Sequence, residues 1–70
     1  MTNKTEAQWI QEANEFAENY YKENDMYPNL WAVETEFYDI CHHNKELMNT
    51  MIQTCGSIKE YAKKLYSYMP

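Results

Sequence analysis

Asp39, His42, His43 and Glu46 stand at i, i+3, i+4 and i+7, the spacing at which a helix stacks side chains on one face. Two imidazoles between two carboxylates could hold a divalent metal, because an acid three residues before a histidine is the pairing used inside di-iron helical bundles. Such sites take further ligands from neighbouring helices, and the chain holds no second carboxylate–histidine pair of this kind. On a helical projection the four residues also lie opposite an apolar stripe centred on Phe37, so they face water. The expectation is a solvated face, with Asp39 paired to His43 and His42 to Glu46, and neither metal nor other cofactor.

Nucleophilic chemistry has less to build on. Cys41 adjoins His42, but neighbours on a helix point about 100° apart and do not meet. The sequence holds no glycine-rich phosphate loop and no nucleophile elbow. A small helical domain also has little interior for the pocket of several hundred Å³ that a substrate needs. The expectation is a protein that is not an enzyme. Cys41 and Cys55 have no CxxC spacing and are expected to be reduced, buried, small hydrophobes.

The aromatic residues carry more. Seven Tyr, two Trp and two Phe are more than the inner faces of a small bundle need. Trp31 and Tyr38 project about 100–120° from the Phe37 stripe. One flank of that helix therefore carries Trp31, Glu34, Tyr38, His42, Lys45 and Asn49, with Tyr27 just ahead of it. Rigid amphipathic rings among carboxylates suit a protein-recognition surface; alternatively the rings lie over the edges of a small core with their tips in water. A second set lies on the outer side of the first helix, where Glu15 and Glu18 are backed by Glu12, Glu23 and Asp25. Carboxylates one turn apart can imitate a row of phosphates for a basic groove, or simply keep a helix face in water.

The elements that must position these residues are helical. One Gly and two Pro leave little of the turn chemistry a multi-stranded sheet needs. Trp9, Ile10, Ala13, Phe16, Ala17, Tyr20 and Tyr21 recur at helical spacing and predict a helix over 3–24, capped by Asn3 with Glu6 in capping-box relation. Pro28 and a cap at Asn29 open the next helix. Its stripe of Leu30, Val33, Phe37, Ile40, Cys41, Leu47, Met48, Met51, Ile52 and Cys55 keeps phase to within about 80° of Phe37. Two continuations fit. One helix over 29–55 is favoured by the preserved phase and the lack of Gly or Pro; a break near 43–45 would let Asn44 cap a third helix. Gly56 stops the run, and Ser57 caps a last helix over 57–69, with Glu60 in capping-box relation and Ile58, Tyr61, Ala62, Leu65 and Met69 inward. The expected fold is all-α, a single domain over 1–70 forming a compact bundle of three helices, or four with the break.

The stretch Gly56-Ser57-Ile58-Lys59-Glu60-Tyr61-Ala62-Lys63-Lys64-Leu65 resembles the helix that precedes the turn in helix-turn-helix DNA-binding modules. That resemblance spans ten residues and implies a regulatory relative of those modules; the recognition helix that would enter the major groove has no counterpart after Leu65.

Charge narrows the classes further. Arg is absent, six Lys face eleven acids, and the net charge is -5, which argues against a protein that tracks phosphates. The balance divides unevenly: -7 over residues 1–39 and +2 over residues 40–70. A partner with a basic surface is expected, met in a preferred orientation, or head-to-tail contact between copies. At this length the core is marginal, so self-association along the second helix is the alternative, a homodimer or larger assembly. No apolar run is long enough for a membrane span and the first residues lack the apolar stretch of a secretion signal, so a cytoplasmic location is expected. Abundant Asn, Tyr and Lys without Arg suits an AT-rich genome. The expected function is a phage or mobile-element product that binds and modulates host machinery, such as a nuclease or polymerase.

Overall fold

The computed structural model describes residues 4–70. Four helices follow in order, α1 (Glu6–Asn24), α2 (Leu30–His43), α3 (Lys45–Cys55) and α4 (Ile58–Ser67), with no strand among the described residues. Asn3, expected to cap the first helix, lies outside the described residues. The cap is Thr5, and α1 begins at Glu6 rather than near residue 3. Thr5 Oγ1 accepts from the Gln8 N–H at 3.2 Å while Gln8 Oε1 accepts from the Thr5 N–H at 2.9 Å. That reciprocal pair satisfies two orphan donors at once, using Gln where the sequence pattern suggested Glu6.

At its other end α1 closes on Asp25, whose φ of 58° is left-handed and whose N–H donates to the Tyr21 carbonyl at 2.8 Å. Aspartate tolerates this conformation better than most residues. Pro28 is buried in the connector, and Asn29 caps α2 by accepting from the Ala32 N–H at 2.8 Å. Gly56 takes φ 92° at the end of α3, and Ser57 Oγ accepts from the Glu60 N–H at 3.1 Å to start α4. The Glu60 carboxylate does not return the bond expected of a capping box; it lies 3.9 Å from Lys63 Nζ in an exposed pair.

The continuous helix over 29–55 does not form. Asn44 leaves the helical region at φ −139°, ψ 88° and serves both as the C-cap of α2 and as the N-cap of α3. Its N–H reaches the Cys41 carbonyl at 3.3 Å, and its side-chain oxygen accepts from the Leu47 N–H at 3.1 Å. The physical reason is length. A straight helix over 29–55 would run about 40 Å. A partner helix of ten residues covers only about 15 Å of it. Breaking at Asn44 lets both halves pack against α4. Replacing Asn44 with alanine should cost about 1 kcal/mol, the usual loss for a cap. Urea unfolding would read it as a lower midpoint at unchanged slope; an unchanged midpoint would show that the cap is dispensable.

Helix α4 touches each of the other three, and the core gathers around it. Trp9 and Ala13 come from α1, Val33, Phe37 and Cys41 from α2, Met51 from α3, and Tyr61, Ala62 and Leu65 from α4. Five rings run through this core in sequence. Tyr68 stacks on Trp9 with centroids 6.1 Å apart, Trp9 meets Tyr61 at 4.9 Å, Tyr61 meets Phe37 edge-on at 5.6 Å, and Phe37 meets Phe16 at 5.3 Å. Such tilted and offset pairs add to the area they bury. Part of the aromatic surplus is thus internal. Ile40 and Ile52, inside the predicted stripe, sit at its edges and are exposed. No described helix is long and apolar enough to cross a membrane.

Candidate functional site

Trp31 and Tyr38 are on the surface. Trp31 is 72% exposed, the highest among the large hydrophobic residues, and Tyr38 is 50% exposed. Both project from the flank of α2 turned away from Phe37, with Glu34 between them half-buried. Neither ring touches another. Tyr27 is exposed as well, but it keeps different company. Its ring lies 4.8 Å from that of Tyr21, and it borders an open groove of about 410 Å³ shared with Ala17, Pro28, Tyr66 and Met69. The surface aromatics therefore fall into two groups, one on α2 and one where the α1–α2 connector meets the end of α4.

The acidic row of α1 divides too. Glu15 and Glu18 are exposed, with the Gln11 side-chain amide donating to Glu15 at 3.3 Å. Glu12 turns inward and is half-buried. The Tyr61 hydroxyl donates to Glu12 Oε1 at 2.8 Å, and the Lys4 ammonium donates both to Glu12 Oε2 and to the Tyr61 oxygen. The same ammonium lies 4.6 Å from the Trp9 ring centroid and 4.7 Å from that of Tyr61. This network straps Lys4, just ahead of the Thr5 cap, onto α4, and nothing in the local spacing announced it.

Burial holds the Tyr61 phenol up at about 12, with negative charge at Cys55 adding to the effect. Burial also lowers the Lys4 ammonium from its usual value, partly offset by Cys55. The Cys55 thiol is raised by burial against the opposing pull of Lys64 and Lys4, with Glu60 adding to the rise. A tyrosine in the unfolded chain ionises near 10, so between that pH and about 12 the unfolded state sheds a proton that folded Tyr61 keeps. Stability fully present below pH 10 should fall as pH rises toward 12. Lys4 works in the opposite sense, so the clean comparison is thermal unfolding against Tyr61→Phe, which should lose less over this window. An equal loss in both proteins would remove Tyr61 as the cause.

The histidine face differs from expectation. His42 and His43 are exposed, their rings meeting edge-on with centroids 5.0 Å apart. Neither the Asp39–His43 nor the His42–Glu46 pair forms; the described ion pairs are Lys4–Glu12 and Lys63–Glu60. Since α2 stops at His43, Glu46 belongs to α3 and is not one turn below His42. Among the described residues no three of His, Cys, Asp and Glu come together as metal ligands. Cys41 is buried, its thiol 3.6 Å from the Met51 sulfur and its pKa raised by burial, while Cys55 is only half-buried.

A cleft between α1 and α2 went unread in the sequence. It has a volume of about 210 Å³ and is lined by Phe16, Asn19, Tyr20, Glu23 and Glu36. The signal was present in the repeat of Phe16, Asn19, Tyr20 and Glu23 along one flank of α1. The segment that resembles the first helix of a helix-turn-helix unit is α4, which buries Tyr61, Ala62 and Leu65 among the other helices.

No family model matches the chain, and no curated protein or solved structure matches it either.

Proposed function

We propose that this protein works by binding another protein and carries out no chemistry of its own, with the α2 flank of Trp31, Glu34 and Tyr38 as the contact surface. The observation that carries this reading is the 72% exposure of Trp31 beside the half-exposed Tyr38, on a helix whose opposite side is core. Aromatic side chains of this kind dominate binding energy at interfaces when they are desolvated in a partner's pocket. The acid concentrated in residues 1–39 supports a partner with a basic surface, since complementary charge speeds and orients encounter. Modulation of a nucleic-acid enzyme, a nuclease or polymerase with a basic groove, is the partner class this combination suits best. A phage or mobile-element origin would supply the setting.

Affinity capture from host lysate at low salt, with mass spectrometry, tests the reading against a Trp31→Ala, Tyr38→Ala control. A partner retained by the wild type and lost by the control supports it; equal recovery by both proteins sinks it.

Self-assembly is the second reading, supported by the exposure of Ile40 and Ile52. The long stripe on which a helix zipper would rest is divided at Asn44, so self-contact would use α2 and α3 as separate faces. Sedimentation showing a monomer at high micromolar concentration would remove this reading and leave the first untouched.

A further inference from the structure

The cleft between α1 and α2 has a chemistry distinct from the aromatic flank. Helices α1 and α2 meet through bulky side chains, Phe16 against Phe37 at 5.3 Å, and the space beside that contact stays open. Phe16 and Tyr20, both half-buried, line the opening. Glu23 from α1 and Glu36 from α2 line it from opposite helices, with the Asn19 amide beside them. Both carboxylates are exposed, and neither belongs to an ion pair among the described residues. Two carboxylates from different helices and two aromatic residues around about 210 Å³ suit a flat cation carrying several donors.

We propose that this cleft receives an arginine side chain of the partner protein, the guanidinium lying over the Phe16 and Tyr20 rings and donating to Glu23 and Glu36. The proposal rests on the reading that the protein binds a basic partner. Guanidinium fits better than ammonium for three physical reasons. It is planar and stacks on rings, it spreads five donors over a rigid fork that can serve two carboxylates, and it sheds water more readily than a lysine head. A lone carboxylate pair in open solvent would contribute little, but a guanidinium set between the carboxylates and the aromatic residues that line the cleft loses water on one side. On α2, Glu36 and the Trp31–Tyr38 pair project on opposite sides of Phe37, so the arginine would enter beside the aromatic contact rather than within it.

The test is an amide NMR titration of the protein with N-acetyl-arginine-amide at fixed ionic strength, alongside the lysine and citrulline equivalents. Millimolar binding is the scale expected for one side chain without the rest of its partner. The expected result is saturable shifts at Phe16, Asn19, Tyr20, Glu23 and Glu36, weaker with lysine and absent with citrulline. In Glu23→Gln, Glu36→Gln the affinity should fall about ten-fold or more, the loss of two charge-assisted contacts. A Glu15→Gln, Glu18→Gln protein, with the same change of net charge, should bind as the wild type does. Equal weakening in both double variants, equal shifts with citrulline or lysine, or shifts centred elsewhere would each overturn the proposal. Both pairs are exposed, so unchanged thermal melts are expected for both variants. Lysate capture separates this idea from the one beneath it. Capture retained with the cleft silent defeats only the arginine site, whereas cleft binding retained with capture absent defeats only the partner reading.

Discussion

Leu65→Ala is expected to remove about 3 kcal/mol of unfolding free energy, the middle of the range for a fully buried leucine. A domain of this size holds a total of roughly 4–10 kcal/mol, so one substitution would consume a third or more of it. Leu65 is fully buried on α4, beside Ala62, which is also inaccessible, so few neighbouring side chains can shift to refill the space. The loss would appear in far-ultraviolet circular dichroism as a lower urea midpoint for all the helices together, because α4 is their common contact. A cost below about 1 kcal/mol, or a transition in which α1 outlasts α4, would show that the core is organised around some other element.

The second large effect is on binding and spares stability. Trp31→Ala with Tyr38→Ala should leave the urea midpoint within about 0.5 kcal/mol of the wild type, as exposed substitutions usually do. The same pair should weaken partner binding by about a thousand-fold, each ring being an anchor that contributes on the order of 2 kcal/mol. The double variant is informative because the alternative account of these rings predicts the reverse. Were they lids over the edge of the core, the protein would unfold more easily and bind as before. At 72% exposure Trp31 has too little buried surface to act as a lid of that kind, and Tyr38 leaves half of its surface in water.

What could be read from the sequence was governed by how local the cause was. Asn29, Gly56 and Ser57 were legible because each cap is decided by one residue and the few that follow it. The angle of Trp31 and Tyr38 to Phe37, which depends only on helical geometry, put both on one flank of the helix but left open whether the rings cover the core edge or stand in water. The interruption at Asn44 was not legible from periodicity. Both halves face the same core, so the stripe keeps its phase whether or not the helix is broken, and only the length of the packing partner decides. The inward turn of Glu12 was beyond local reasoning for another reason. Its partner Tyr61 is 49 positions away, and Lys4 joins the pair only once α4 has docked. The cleft on α1 left a partial trace in the spacing of Phe16, Asn19 and Glu23, but Glu36 could be added only when α2 was seen beside it. The expected pairing of His42 with Glu46 failed through the same interruption that divided the helix.

The place of α4 at the centre of the packing has a consequence for how the chain comes to be folded. It is the last of the four helices to leave the ribosome, yet it supplies Tyr61, Ala62 and Leu65 to a core that the first three helices share. Before residues 58–67 emerge, the first three helices have only the Phe16–Phe37 contact and the α2–α3 packing to hold them together, without the α4 side that each of them packs against. A short helix alone is marginal in water, so the nascent chain would hold only fleeting helical turns until synthesis passes Leu65. Folding should then be a single late event, with no stable intermediate built from the earlier helices. During that interval Trp9, Phe16 and Phe37 are open to chaperones and proteases, so arrival of the final helix sets the time at which the protein becomes resistant to both.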